Sequence, residues 1–537
     1  MNSIRLDKIS LNIALSLLVG VFSIFMLTSL GFILGLSINL SYTLLAIVAM
    51  VYLPAKIDSF TYQERLVSFI ITLIIIASSG YISSRFMDYS YDGQWYHQSE
   101  IIFLKKGWNP IYEKVVDFLS KCWNIDIGKA TIWIEHYPRF SEIFAANIFY
   151  LTDNIETGKM LNTLSMSILF FYSFYILNIK FPQYSNSIKF LLSITFACSP
   201  IALAQIHTYY VDGLMYNYFI LLLLAIIEME NSNKELRTSF FVFITSVVIL
   251  SHLKVGGFLY SIVILIVCKL HLIISKKKEL SRYLNYNILA IIFLVFLLGI
   301  NPYMTNIGAG KHIFYPVIGQ EKIDVVSHVM PKQFVGKSMP YKLFMSTFSK
   351  VDNIGATVEK ENIELKLPFT VQKSELENLV FWDTRLCGFG IFWSGILLLA
   401  ILLCGVISWK DKSLKECKLI MTMLLICTIL NPENWWARYV PQLYALPIFV
   451  ALCCLQKKHI KLLQIVIRGY LLLILTNSLV VYYKVHEEST VASEYKINFL
   501  NDLKENTKMT STIKEGNYII SEPLTSTMLL FGDKCSE

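Results

Sequence analysis

Asp88 and Asp92 lie four residues apart in "MDYSYDGQWYHQSEIIFLKKGWNPIYE" (87–113), among Tyr89, Tyr91, Trp95, Tyr96 and His97. A positioned carboxylate is a general base for an attacking hydroxyl. Aromatic rings offer faces to the CH side of a sugar while polar side chains meet its hydroxyls. If the segment is helical, a spacing of four puts both acids on one face. Four other segments gather unusual polar residues: "QIHTYYVDG" (205–213), "SHLKVGG" (251–257), "NPYMTNIGAGKHIFYPVIG" (301–319) and "NPENWWARYVPQ" (431–442). Cations in such segments can hold a phosphate leaving group, arginine by a two-pronged fork that lysine cannot match. The combination suits transfer of a sugar from a lipid-linked phosphate donor. Asp92 is the first choice for the base and Asp88 the second, with Asp88 also open as a divalent-metal ligand or a helix cap. Lys254, Arg438 and Lys311 are the candidates for donor phosphate. Trp95, Tyr96, His97, His207, Tyr210, Asp212, Asn301, Tyr303 and Trp436 are the candidates for the sugar or acceptor pocket.

Each residue also has a plainer reading. Asp92-Gly93 and Asp212-Gly213 are ordinary turn signals. Trp435 and Trp436 fit an aromatic belt at a membrane surface, as anchors first. His97, His136, His207, His252 and His312 show no paired ligand spacing of the HExxH kind, so hydrogen-bonding histidines are the simpler expectation.

The elements that must position these groups are apolar. The chain has 537 residues, 55% of them hydrophobic and 16% charged, against about 25% charged in soluble domains. A polytopic all-α membrane protein follows. Windows of about 20 residues give thirteen candidate spans (11–14, depending on which short runs merge), near 11–34, 40–55, 66–84, 159–178, 188–205, 213–229, 238–252, 256–273, 285–301, 387–408, 417–430, 440–456 and 461–482. The net charge of +8 is not a nucleic-acid footprint, because the surplus sits in short loops. Arg5 and Lys8, Lys56 and Arg65, Lys180 and Lys189, Lys234 and Arg237, Lys276 to Lys278 with Arg282, Lys410 to Lys418, and Lys457 to Lys461 all fall in alternate loops. Positive loops stay on the cytoplasmic side. The amino terminus is therefore expected inside, and the five polar segments outside, where they read as one outward-facing site. Lys254 and Arg438 are positive charges on the face where topology disfavours them.

The opening "MNSIRLDKIS" and the run after it read as an uncleaved first helix. The ten cysteines show neither a disulfide framework nor metal spacing; Cys268, Cys404, Cys427, Cys453 and Cys454 fall in or beside apolar runs. No phosphate-binding P-loop or dinucleotide fingerprint appears, so a donor at an outward site must already be in the membrane.

The motifs resemble the GT-C superfamily of integral-membrane glycosyltransferases, which includes protein O-mannosyltransferases and lipid A aminoarabinose transferases. Such proteins carry acids at the start of the first large outer loop, here in "DYSYDGQWYH", followed by "GWNPIYE" and "HYPRFSEIFAANIFY" (136–150). "YYVDG", "LKVGG", "NPYMTN" and "ARYVPQLYALP" (437–447) resemble further segments of bacterial envelope members, so the likeness spans roughly residues 60 to 460. Two departures stand: extra helical spans precede the acidic loop, and Pro138-Arg139 replaces the usual double proline.

The resemblance implies a bacterial inner-membrane hexosyl- or pentosyltransferase that inverts the anomeric centre. Its donor would be a polyprenyl-phosphate sugar, its acceptor a cell-envelope glycan, lipid or protein, and its surroundings membrane lipids. No nucleotide cofactor is implied, and a divalent metal stays open.

The expected organisation is a membrane module over 1–482 with long outer loops at 85–158 and 302–386, and a short outer tail over 483–537. "MPYKLFMSTFSKV" (339–351) is expected to lie on the membrane surface. The tail holds a polar helical stretch and a β-like "NYIISEPL". A polymerase or ligase of lipid-linked polysaccharide would also use a lipid-linked glycan, but outer arginines are sparse. A transporter would show paired, broken helices in two halves, which the sequence does not.

Overall fold

The computed structural model describes residues 5–122, 126–231, 236–353, 363–379, 382–405, 407, 415–457 and 461–505. Among them the secondary structure is helical, with two isolated β-bridges, Ser349 to Leu365 and Asp352 to Leu386. Seven helices are long and apolar enough to cross a membrane: Leu6–Ile33, Tyr62–Arg85, Ile155–Lys180, Asp212–Glu230, Val255–Ile274, Lys278–Leu298 and Lys461–Asn498. This is the architecture of a membrane protein. Each of the thirteen apolar runs contains a helix, but Leu40–Tyr52, Arg237–Leu253, Trp393–Cys404 and Pro441–Leu455 are shorter apolar helices. Thirteen full-length spans are therefore not reproduced.

Helix ends follow local chemistry. Thr61 and Glu64 close a reciprocal cap on Tyr62–Arg85, and Asn39 caps Leu40–Tyr52 through the amide of Ser41; each satisfies a donor that the first helical turn leaves unpaired. Leu6–Ile33 is buried along most of its length and packs against Leu40–Tyr52, Tyr62–Arg85 and Met160–Lys180. Asp212–Asn231 is buried through its apolar window and contacts both Met160–Lys180 and Arg237–Leu253. Tyr62–Arg85 and Lys278–Leu298 leave most of their apolar side chains uncovered, as helices at a lipid boundary do.

The last helix runs past residue 482 and takes in the start of the polar helical stretch expected in the tail. Lys461–Glu505 runs unbroken for 45 residues, so the first part of the expected tail continues the final span. The β-like "NYIISEPL" lies outside the described residues.

Candidate active site

Asp92 ends a short helical start that widens into a π-helical turn, Gly93–His97. Such widened turns recur at functional sites because they re-aim side chains. Gly93 is required there: a Cβ at this position would overlap Asp88 Oδ2 and Ser90 Oγ. Asp88 itself is buried in loop rather than stacked on a helix with Asp92. Its Oδ1 accepts the Ser90 amide and its Oδ2 the Tyr209 amide, both at 2.8 Å. The two acids therefore do different work, and the shared-face expectation fails because residues 87–90 are not helical. Burial pushes the Asp88 carboxyl above its usual range, against the pull of Lys159.

The final helix clasps this loop. Ser493 Oγ accepts the Met87 amide at 2.8 Å, Lys496 Nζ donates to Asp88 O at 2.8 Å, and the Tyr495 ring meets Tyr89 edge-on.

Asp92 faces Arg438. Arg438 Nη1 lies 3.2 Å from Asp92 Oδ2 and 3.8 Å from Asp212 Oδ2, while its Nε lies 2.8 Å from Asp383 Oδ1. Lys254 Nζ donates to Asp212 Oδ1 at 2.6 Å, and Gln205 Nε2 to Asp212 Oδ2 at 3.2 Å. Arg385 donates twice to Asp383 Oδ2, and Trp436 Nε1 donates to Asp383 Oδ1 at 3.0 Å. Three carboxylates thus meet three cations. Asp92 has the most open side chain of its ion-paired group, at 20%, against 11% for Arg438 and 1% for Asp212.

Aromatic rings wall the cluster. The Arg438 guanidinium lies 5.0 Å from the Tyr210 ring centre, 4.8 Å from Trp436 and 5.5 Å from Tyr439; Lys254 Nζ lies 4.3 Å from Tyr439. Tyr96 stacks on Trp133, which meets Tyr137 edge-on. Burial, then the field of Asp92, raises the Tyr96 and Tyr210 hydroxyls, so both stay protonated. Burial likewise raises the Asp383 carboxyl, against Arg438 and Arg385. Burial works against the Arg438 charge, but Asp383, Asp212, Tyr210 and Asp92 together hold the guanidinium well above its usual range.

Of the sequence candidates, the structure brings together Asp92, Tyr96, Tyr210, Asp212, Lys254, Trp436 and Arg438. Trp435 and Trp436 are corrected as surface anchors: both are buried, stacked on each other, with Trp435 packed on Phe334. Trp95 is half-buried against Tyr91, Tyr96 and Trp133, at the edge of the wall.

Other candidates lie elsewhere. His97 is buried against Glu142, and the nearby Glu100 and Arg139 form a buried pair at 3.4 Å. His207 stacks on Phe86 and approaches His486. Tyr303 is a core residue that bonds Ser251 O and packs on Phe258 and Phe314. Asn301 Nδ2 donates to Pro110 O at 2.7 Å, so it joins two loops. Lys311 pairs with Glu321 at 3.4 Å and covers the Tyr315 ring; none of these partners belongs to the cluster.

The sequence reading missed Asp383, Arg385, Gln205 and Tyr439. A signal existed in "WDTR" (382–385), an acid and a base two apart just before an apolar run, which mirrors "WWAR". Among the described residues no group of three or more His, Cys, Asp or Glu is arranged to hold a metal ion. Compared with known proteins, the chain matches no family model and no curated protein.

Proposed function

We propose that the protein is a GT-C-like membrane glycosyltransferase that moves a sugar from a polyprenyl-phosphate carrier to a cell-envelope glycan, lipid or protein. The observation that supports this reading most directly is the partly exposed carboxylate of Asp92, set against Arg438 within an aromatic wall. In the proposed step Asp92 takes the proton of the acceptor hydroxyl. The acceptor oxygen attacks the anomeric carbon from the face opposite the carrier, the bond from that carbon to the phosphate oxygen breaks, and configuration inverts. The carrier phosphate leaves with the electron pair and one more negative charge, which Arg438 and Lys254 neutralise.

The three acids and three cations of the cluster balance one another in charge. A donor phosphate must take a place at Arg438 that Asp92 occupies. That exchange would release Asp92 as a free base only when the donor is present. Tyr210, Trp436 and Tyr439 supply ring faces for the sugar.

The proposed site faces outward, with the amino terminus inside, on the alternation of basic loops. The runner-up, a polymerase or ligase of lipid-linked polysaccharide, would use the same donor phosphate with a lipid-linked glycan as acceptor.

The test is transfer of a labelled sugar from a polyprenyl-phosphate donor by the purified protein in lipid discs, beside mass spectrometry of envelope glycans from a deletion strain. Loss of a single sugar substituent supports the transferase, and loss of polymer length or of polymer attachment supports the runner-up. Unchanged glycans, with no transfer in vitro, would overturn both.

A further inference from the structure

In the second long loop a buried charge lies beside exposed apolar side chains. In an extended segment, alternate side chains point to opposite faces. Ile363 is buried and Glu364 is exposed beside Lys350, but Lys366 points inward: its Nζ donates to Glu375 Oε1 at 2.6 Å and to Ile391 O at 2.7 Å, in a pair whose side chains are 2% and 1% exposed. Its neighbours Leu365 and Leu367 point outward, with Leu367 76% exposed, and Phe369, in a turn at 368–369, and Val371 beyond it are exposed too. A loop facing water would bury the leucines and solvate the lysine.

In the adjoining helix Met339–Phe348, Lys342, Ser346 and Thr347 are buried together with Met345, while Met339 and Phe344 are exposed. The two pieces are joined, because the Lys366 amide donates to Phe348 O at 3.0 Å and Ser349 bridges to Leu365.

What covers this apolar row is indicated by its neighbour. The Phe369 ring lies where a Cβ on Gly395 would fall, in the first turn of the apolar helix Trp393–Cys404. Further along that helix Ile401 and Leu402 are themselves uncovered. The exposed row therefore starts at the mouth of an uncovered apolar helix face.

We propose that Leu365, Leu367, Phe369 and Val371, with Phe344, form a strap that dips into the lipid leaflet at that end of the bundle. The free energy comes from taking these side chains out of water, and Lys366 and Glu375 tether the strap from within. The loop that supplies Asp383 is then anchored in the leaflet. This inference rests on the membrane reading of the chain and not on the transferase reading.

The experiment places the photo-crosslinker p-benzoylphenylalanine at Leu367, at Ile401 as the reference for the helix face, and at Lys373 as an exposed polar position. The full chain is irradiated in phospholipid discs and the adducts are identified by mass spectrometry. Phospholipid adducts at Leu367 and Ile401, and not at Lys373, are expected. Lipid adducts at Ile401 without any at Leu367 would overturn the strap. A crosslink from Leu367 to a second copy of the chain would overturn it as well, since the row would then be a protein interface.

Discussion

Asp92 and Arg438 are 346 residues apart in sequence and 3.2 Å apart in space. Neither stands alone. Arg438 also touches Asp383 and Asp212, and only Asp92 of these acids has an appreciably open side chain. In the proposed reaction the base and a cation of the phosphate site are thus direct neighbours.

Removing the base separates chemistry from folding. Asp92→Asn keeps shape and loses the charge, so turnover is expected to fall by about 10² to 10⁴ with purification yield and thermal stability little changed. Asp88→Asn should do the reverse. Its two carboxylate oxygens accept two buried amides, and an amide side chain can replace only one acceptor, at a cost of roughly 1–3 kcal/mol. Thermal unfolding of both variants beside turnover checks this; lost activity in a fully stable Asp88→Asn would move the chemical role to Asp88.

At Arg438 the fork matters as well as the charge. Arg438→Lys puts a single ammonium where a planar guanidinium reaches three carboxylates and three rings, and use of the lipid-phosphate donor is expected to weaken by about tenfold or more, in line with a charge-assisted bond worth roughly 1.5–3 kcal/mol. Lys254→Gln should show a related defect. Donor titration with the purified variants in lipid discs is decisive, and unaltered donor dependence in both would falsify the phosphate role.

Asp383 has a further consequence that the sequence alone did not reveal. It holds Arg438 Nε and the Trp436 indole at once. Asp383→Asn and Arg438→Lys should therefore be non-additive, with a coupling of about 0.5–3 kcal/mol in donor binding. A double-mutant cycle measures it, and simple additivity would show that the 2.8 Å pair is energetically idle.

How much of this was legible follows from what each residue's neighbours are. Helix existence was readable because apolar runs are local, and the Asp92, Asp212, Lys254 and Arg438 segments stood out as charges beside such runs. Their partners did not, since a carboxylate in a loop, like Asp383, acquires meaning only when a distant arginine arrives. The same applies to Tyr303 and Trp435, whose composition fits a pocket or a belt equally well and whose burial is decided by tertiary packing.

Acidification should destabilise the protein through His207. Burial, reinforced by Lys159 and His486, lowers this imidazole to about 3, against about 6.5 when unfolded. The folded state therefore prefers the neutral ring. The contribution is complete above pH 6.5 and is lost as pH falls from there toward 3, by at most about 1.4 kcal/mol per pH unit. Thermal unfolding of the wild type and of His207→Phe between pH 7 and 4 should give a shallower slope for the variant, while equal slopes would assign the acid sensitivity elsewhere.

The unbroken helix Lys461–Glu505 makes the loop before Asp92 sensitive to phase. Its 45 residues span about 67 Å, more than twice the roughly 30 Å of a hydrocarbon core. Ser493 and Lys496, three residues apart on one side of it, meet the backbone of Met87 and Asp88. Every residue inserted between the membrane and Ser493 turns both by about 100° and lifts them by 1.5 Å. One added residue swings the pair off the loop. Seven bring it back to nearly the same bearing, two turns too high. In this helix, sequence length acts as an angular coordinate, and the Asp92 turn is keyed to one setting of it.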